Sequence, residues 1–95
     1  MRVHANDGVS AQAKESLVEE GFKVTTDHVP QDRLQAYLNK EKVDVLLVRS
    51  ATKVRQDLID ACPNLKLIGR GGVGMDNIDV AYARSKGLTV INTPA

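Results

Sequence analysis

Residues 43–48, Val-Asp-Val-Leu-Leu-Val, give the strongest strand signal in the chain. Their short, continuous apolar run is typical of a strand that is buried on both faces of a parallel sheet. Shorter apolar segments lie on either side of it, at 3–5, 22–25, 65–68 and 88–91. Helical patterns separate these segments, and such alternation predicts a parallel sheet with helices on its faces. We therefore expect an α/β, flavodoxin-like domain whose strands follow the order 2-1-3-4-5.

Capping residues mark the ends of the predicted helices. Ser10 fits the N-cap of the first helix, and Gly21 fits its stop. Pro30 suits the first position of the second helix, because its fixed φ and missing N–H are tolerated there. Asp79 is expected to cap the fourth helix, which Gly87 ends.

Handedness predicts that one face of this sheet is incomplete. Right-handed crossovers decide which face each helix covers. In the chosen order the first helix lies alone on one face, and the other three share the opposite face. Strands four and five then have no helix over them on the first face, and an uncovered parallel sheet is rare. We expect a partner, or a longer polypeptide, to supply the cover.

Composition excludes several classes of protein. The 95 residues contain 13 Lys and Arg against 12 Asp and Glu, and only two Tyr and one Phe. This balance does not favour a nucleic-acid partner, which needs a basic surface and stacking side chains. No apolar run approaches the roughly 18 residues of a membrane span. The start lacks a secretory signal, so we expect a cytoplasmic protein without membrane contact.

The single cysteine and the two histidines offer little chemistry. Cys62 alone forms neither an internal disulfide nor a metal cage, and we expect a buried thiol. His4 lies in the first strand and is expected to be packed or paired there. His28 follows the outer strand, at least two strand spacings, about 10 Å, from the end of strand three. No nucleophile–base pair can be assembled from them, and we expect no metal.

Cations gather where a ligand is expected. Open α/β sheets bind ligands beyond the carboxyl ends of their strands. Arg49 and Lys53 follow strand three, and Arg70 follows its predicted neighbour, strand four. The planar fork of Arg suits a carboxylate or a phosphate. These residues predict a small anionic ligand; solvated surface charge is the alternative.

Residues 69–74, Gly-Arg-Gly-Gly-Val-Gly, match the dinucleotide fingerprint G-x-G-x-x-G literally. The match follows strand four, however, whereas the fingerprint belongs to the first strand–helix turn, and no acidic residue follows about 20 positions later. We interpret the segment as a loop in which the N–H groups of Gly72 to Gly74 approach a carboxylate. A purely structural turn is the alternative.

Three segments together resemble the D-isomer-specific 2-hydroxyacid dehydrogenases: 48–54 (VRSATKV), 67–79 (LIGRGGVGMDNID) and 87–94 (GLTVINTP). The resemblance is strong over 43–95 and one of pattern over 1–42. It implies that residues 1–95 form the amino-terminal part of a substrate-binding domain, which in this family a helix from the carboxyl end completes. The catalytic residues and the NAD-binding domain would lie outside this chain. The resemblance is greatest to members that oxidise 3-phosphoglycerate to 3-phosphohydroxypyruvate with NAD, in serine biosynthesis.

The resemblance also implies seven substrate-binding positions: Arg49, Ser50, Lys53, Arg70, Gly72, Val73 and Gly74. Arg49 and Arg70 match arginines that contact phosphate. Residues 72–74 match the loop whose backbone N–H groups receive the substrate carboxylate. Val73 also matches a position that touches NAD, whereas Ser50 and Lys53 flank the pocket. Met75 stands where a smaller apolar residue is usual.

Three alternatives stay open from the sequence. The first is a parent that acts on another 2-hydroxy acid, such as glycerate or glycolate. The second is a stand-alone module that binds small anions. A receiver-type signalling module shares the strand order, but Arg49-Ser50 stands where its acceptor Asp would be. We expect the 95 residues alone to be inactive and the parent to be a homo-oligomer that pairs through its other domain.

Overall fold

The computed structural model describes residues 1–71 and 76–93. Strands and helices alternate along them as predicted. The elements are β1 (Arg2–Ala5), α1 (Ala11–Glu19), β2 (Lys23–Thr25), α2 (Gln31–Lys40), β3 (Val45–Val48), α3 (Gln56–Ala61), β4 (Leu67–Gly71), α4 (Val80–Ser85) and β5 (Thr89–Thr93).

One sheet contains all five of these strands, in the order β2-β1-β3-β4-β5. Every neighbouring pair is parallel, so the predicted fold is confirmed. In one row of the register His4 pairs with Leu46, Leu46 with Ile68, and Ile68 with Val90. Side chains in one such row point to the same face of a sheet, and this row faces the core.

The hydrophobic core lies between that face and helices α2, α3 and α4. Leu34 and Leu38 of α2, Leu58 of α3 and Ala83 of α4 are buried in one cluster with the strand residues Leu46, Val48, Ile68 and Val90. Three short helices can bury their apolar stripes on this sheet because the side chains of β3 and β4 that face them are large and aliphatic.

The opposite face is incompletely covered, as predicted. Helix α1 packs against β2 and has no buried residue. On this face Leu47 pairs with Gly69, and Gly69 with Ile91. The side chain of Leu47 is half-buried and Ile91 is 40 % exposed. Among the described residues, only the β1 and β2 side of this face has a helix over it.

The start of α1 agrees with the prediction, and the start of α2 differs from it by one residue. The Ser10 hydroxyl accepts a hydrogen bond from the Ala13 N–H at 3.1 Å, which confirms the predicted N-cap of α1. Pro30 is the N-cap of α2 and not its first residue, since its ψ of 147° is extended and the helix begins at Gln31. The proline therefore fixes the approach to the helix.

The prediction that Asp79 caps α4 is confirmed for its position and not for its side chain. Asp79 is the N-cap residue of α4, but its side chain makes no capping bond there. Its carboxylate accepts instead from the Gln56 N–H at 3.1 Å and from Arg55 Nη1 at 3.1 Å. The side chain thus caps the neighbouring helix, α3, because a free N–H and a guanidinium lie closer to it there.

Candidate functional site

The polar side chains of interest lie at one border of the sheet, which we call the carboxyl edge: the residues at or just beyond the ends of β1, β3 and β4. Val48, the last residue of β3, pairs with Arg70 of β4. Arg49 is the next residue along the chain. The two arginines therefore follow adjacent parallel strands and reach the same edge.

Arg49 and Arg70 leave the sheet toward opposite faces. Arg70 shares a register pair with Val48, which faces the helical core. Arg49 lies on the other side, since a Cβ placed on Gly71 would sit 3.8 Å from Arg49 Cγ. A ligand that touches both guanidinium groups must therefore lie across the top of the sheet, beyond the strand ends.

The turn that carries Arg49 is held by Asp7, which follows β1. One carboxylate oxygen of Asp7 accepts the Arg49 N–H at 2.7 Å and the Thr52 N–H at 3.1 Å. The other oxygen accepts the Thr52 hydroxyl at 2.7 Å. The Asp7 side chain is only 5 % exposed. A buried carboxylate with this many donors rigidly fixes the backbone from Arg49 to Thr52.

A buried polar chain continues from Thr52 back into the sheet. The Asn6 amide nitrogen donates to the Thr52 hydroxyl at 2.8 Å, and Asn6 Oδ1 lies 2.9 Å from His4 Nε2. Asn6 also accepts the Val29 N–H, which fixes the amide orientation. His4 Nε2 must therefore donate to the Asn6 oxygen, and Nδ1 lies 2.7 Å from the Thr25 hydroxyl. The prediction that His4 is packed and paired is confirmed.

Asn77 joins the two arginine-bearing segments. Its amide nitrogen donates to the carbonyl oxygens of Arg49 at 2.7 Å and Thr52 at 2.6 Å. Its Oδ1 accepts from Arg70 Nε at 2.8 Å. The backbone reinforces the link, since Val54 N–H donates to the Asn77 carbonyl at 2.8 Å and Val54 and Ile78 form a parallel bridge.

Two further predicted site residues, Ser50 and Lys53, lie in different surroundings. Ser50 is exposed beside Arg49. Lys53 lies in a cleft of about 370 Å³ between the starts of α2 and α3, with Gln31 and Arg55. Its backbone N–H and carbonyl both bond the Gln31 side chain. The structure thus groups Lys53 with α2 and α3 and not with the two arginines.

The predicted carboxylate loop, Gly72, Val73 and Gly74, lies outside the described residues, as does Met75. The positions that flank it are described. Gly71 ends β4, and the Asp76 carbonyl accepts from Arg55 Nη1 at 2.9 Å. Gly69 and Gly71 lie within strand β4 and not in the loop or turn that the sequence predicts for residues 69–74.

His28 lies nearer to the carboxyl edge than strand spacing predicted. Its Nδ1 donates to the Asn6 carbonyl at 2.8 Å and lies 3.6 Å from the Asp7 carboxylate. The difference arises because residues 28–29 fold back over the end of β1, where Val29 bonds the Asn6 side chain. The His28 side chain is 59 % exposed.

Cys62 and the other titratable groups of the described ranges form no second functional site. Cys62 is 2 % exposed, and burial raises the pKa of its thiol, so the predicted buried thiol is confirmed. No cluster of His, Cys, Asp and Glu suited to a metal ion occurs among residues 1–71 and 76–93. In the same ranges no helix is both long and apolar enough to cross a bilayer.

Sequence reasoning missed four buried polar side chains that build the carboxyl edge: Asn6, Asp7, Thr52 and Asn77. Their only sequence signal is position, since each lies just beyond the end of a strand or in the segment before α4. A polar residue there is also typical of an ordinary turn. Their bonds join residues up to 46 positions apart, so local pattern did not reveal them.

The fold and these motifs match one protein family. The family model described as "D-isomer specific 2-hydroxyacid dehydrogenase, catalytic domain" matches residues 3–95. Among curated proteins, a hydroxypyruvate reductase of Thermotoga maritima is 49 % identical over 94 residues, 98 % of this chain and 30 % of that protein. A D-3-phosphoglycerate dehydrogenase of Bacillus subtilis is 41 % identical over 96 residues, 98 % of this chain and 17 % of that protein.

Solved structures agree with the sequence matches. The TT0316 protein of Thermus thermophilus superimposes with a TM-score of 0.83 at 25 % identity, over 95 % of this chain and 29 % of that one. An NAD-bound 3-phosphoglycerate dehydrogenase of Entamoeba histolytica gives 0.80 at 25 % identity, over 99 % and 33 %. The chain thus spans a third or less of the length of these relatives.

Proposed function

Since this chain belongs to the D-isomer specific 2-hydroxyacid dehydrogenase family, we propose that residues 1–95 are the amino-terminal part of the substrate-binding domain of an NAD-dependent dehydrogenase. The catalytic residues and the NAD-binding domain would then belong to the rest of that polypeptide. The incompletely covered sheet face supports this proposal. In a longer polypeptide, a further segment can pack its apolar side chains on that face.

The substrate we propose is 3-phosphoglycerate, oxidised to 3-phosphohydroxypyruvate in serine biosynthesis. One observation carries the choice: Arg49 and Arg70 follow adjacent strands to the same edge. Two guanidinium groups offer paired N–H donors to a dianionic phosphate, which a substrate without phosphate cannot use. The rigid backbone around Arg49 supports a fixed spacing between the two.

Roles follow for the other positions at this edge. The backbone N–H groups of Gly72, Val73 and Gly74 would receive the substrate carboxylate, and Val73 would also touch NAD. Ser50 would flank the phosphate beside Arg49. Lys53 would contribute positive charge from the cleft at α2 and α3 and not a direct contact. These groups bind and orient the substrate; none is proposed to abstract a proton.

NAD would be held by other parts of the parent. The described glycines do not form a dinucleotide cradle, because Gly69 and Gly71 lie inside β4 and a Cβ on Gly69 would approach Leu47 Cδ2 to 2.7 Å. A larger residue at this position would therefore clash with Leu47, and Gly69 permits close packing within the sheet. When bound, NAD accepts the hydride from the substrate carbon. This chain's own contribution is to hold that substrate still and in one orientation.

A second candidate is the interconversion of hydroxypyruvate and D-glycerate, which the 49 % identity to the Thermotoga maritima hydroxypyruvate reductase favours. That substrate carries the same carboxylate and lacks the phosphate. The first candidate assigns Arg49 and Arg70 to phosphate binding, and the second does not. Comparing kcat/KM for the two substrates distinguishes the candidates.

The test uses the complete polypeptide that contains this chain. We expect NAD-dependent oxidation with kcat/KM higher for 3-phosphoglycerate than for D-glycerate. Arg49→Ala and Arg70→Ala should each lower kcat/KM for 3-phosphoglycerate about 10- to 100-fold, as loss of a charge-assisted hydrogen bond predicts. D-glycerate should be affected much less. Arg33→Ala, an exposed arginine of α2, is the matched control.

Three results would contradict parts of the proposal. Equal losses on both substrates would exclude phosphate recognition by the arginines. Higher kcat/KM for D-glycerate in the unmodified enzyme would favour the second candidate. Absence of dehydrogenase activity, with saturable phosphate binding to the 95 residues alone, would favour a stand-alone anion-binding module.

A further inference from the structure

We propose that Asn77 is a positioning residue that fixes the two arginines of the carboxyl edge relative to each other and so sets the preference for a phosphate-bearing substrate. The inference rests on the proposed function. It adds a residue that touches no substrate itself and acts through Arg70 and through the turn that carries Arg49.

The contacts of Asn77 use its whole amide. Both N–H donors are taken by the carbonyl oxygens of Arg49 and Thr52, at 2.7 and 2.6 Å, and Oδ1 accepts Arg70 Nε at 2.8 Å. The residue is 9 % exposed. A buried amide with every donor bonded is rigid, and its partners are held in one geometry.

The effect on Arg70 is to orient its guanidinium. A bond at Nε fixes the plane of the group, and Arg70 Nη1 donates to the Gly71 carbonyl at 3.0 Å, which fixes its rotation further. An arginine held in this way loses little side-chain entropy when it binds an anion. Loss of the Asn77 oxygen removes the bond that fixes this plane.

The effect on Arg49 is made through the backbone. Asp7 holds the N–H groups of Arg49 and Thr52, and Asn77 holds the carbonyls of the same two residues. The turn is therefore clamped from β1 on one side and from the segment before α4 on the other. Asn77 therefore bonds both this turn and Arg70.

The same arrangement indicates that an Asn77 variant can fold. The bonds from Val54 N–H to the Asn77 carbonyl and from Asp79 N–H to the Val54 carbonyl use backbone atoms, and the Asp7 bonds are independent of Asn77. Truncation of the side chain removes the link between the two arginines and leaves these anchors in place.

The experiment is a double-mutant cycle in the complete enzyme with Asn77→Ala, Arg70→Ala and both together. We expect Asn77→Ala to raise KM for 3-phosphoglycerate about tenfold, with kcat changed much less and KM for D-glycerate nearly constant. In the Arg70→Ala background the same substitution should raise KM less than it does in the unmodified enzyme, since the part of its effect that passes through Arg70 is already lost.

The matched control is Asn39→Ala. Asn39 also bonds a backbone carbonyl, that of Ala61 at 2.8 Å, but it joins α2 to the end of α3, away from the carboxyl edge. Asn39→Ala should lower thermal stability and leave the ratio of the two KM values unchanged. The control separates general loosening from loss of positioning.

Each outcome decides the matter. Additive effects of Asn77→Ala and Arg70→Ala, or an equal rise of KM for both substrates, would overturn the inference alone. An enzyme without preference for 3-phosphoglycerate would overturn the proposed substrate and this inference with it. If Asn77→Ala does not fold, Asn77→Asp replaces it, since it keeps the oxygen for Arg70 and loses both donors to the turn. Failure of both variants to fold would make Asn77 a structural residue only.

Discussion

The Asp44 side chain joins distant parts of the chain at the border of the sheet opposite the carboxyl edge. It follows Val43 and precedes β3, and its carboxylate accepts the Arg2 N–H at 2.9 Å. Lys66 Nζ lies 3.5 Å away. The hydrogen bond from the Arg2 N–H is the largest effect and lowers the pKa of this carboxyl below its usual 3.8; burial opposes it, and the Lys66 ammonium lowers the pKa further.

A pH dependence of stability follows from this shift. The folded state holds the Asp44 proton more weakly than the unfolded chain, so stability from this group is fully present above the usual pKa. It is lost as the pH falls through the lowered pKa of the folded state. Asp44→Asn should remove this part of the acid destabilisation, measured by urea unfolding between neutral pH and about pH 2. Asp27→Asn, at an exposed site, is the control; the same slope in both variants would contradict the assignment.

At the level of residues, the sequence allowed prediction of locations but not of partners. Arg49 and Arg70 were predicted to share an edge because strand order alone decides which strand ends are neighbours. Asp79 was predicted to cap the nearest helix, and it caps another one. The bonds of Asp7 span 42 to 45 positions in the chain. Such a choice depends on three-dimensional distances that no local pattern contains.

Helices α1, α2 and α4 end with the same hydrogen-bond motif. In each, an N–H two residues beyond the C-cap donates to the carbonyl five residues earlier: Phe22 to Leu17, Val43 to Leu38 and Leu88 to Ala83, at 3.0–3.1 Å. The residue between the C-cap and this donor has positive φ: Gly21, Lys42 and Gly87. This is the Schellman motif, which favours glycine at that position.

The unusual member is Lys42, with φ of 51°. A side chain in the left-handed region is strained, so Lys42→Gly should stabilise the protein by about 0.5–1 kcal/mol, after the larger entropy of the unfolded glycine chain is subtracted. Lys40→Gly, inside α2, should instead destabilise it by about 1 kcal/mol. Chemical denaturation of both variants checks the opposite signs, and destabilisation by Lys42→Gly would show that the left-handed turn is not strained.

Element ends were predicted where glycine marks them and missed where it does not. Gly21 and Gly87 were predicted as helix stops, whereas α2 ends through Lys42, for which no composition signal exists. Strand β4 extends to Gly71, beyond the predicted end at Ile68. The extra residues pair with Ile91, Asn92 and Thr93 of β5, so a tertiary partner overrides the weak strand preference of glycine.

For the molecule as a whole, the two faces of the sheet have different surfaces. One is buried under three helices, and the other exposes an apolar patch that includes Leu47, Leu67 and Ile91. The order of strands was predictable because alternation and right-handed crossovers leave few topologies. The extent to which helices cover each face was predictable only in outline, since the cover of the second face depends on where α1 packs.

The patch predicts dye binding by the 95-residue chain. We expect native protein to enhance the fluorescence of anilinonaphthalene sulfonate, which binds exposed apolar surface. Ile91→Thr should reduce the enhancement, and Val18→Thr, which changes an apolar side chain 52 % exposed on α1, should not. Equal fluorescence from Ile91→Thr and the unmodified chain would show that the face does not form a continuous apolar surface.

The bridge between Val54 and Ile78 has a consequence for synthesis on the ribosome. It joins the turn after β3 to the segment before α4, so the carboxyl edge needs chain from both sides of α3 and β4. The pairing of β1, β2 and β3 needs none of the later segment. A nascent chain would therefore pair three of its five strands before the carboxyl edge is complete, and that edge would form only once the segment that contains Asn77 has emerged.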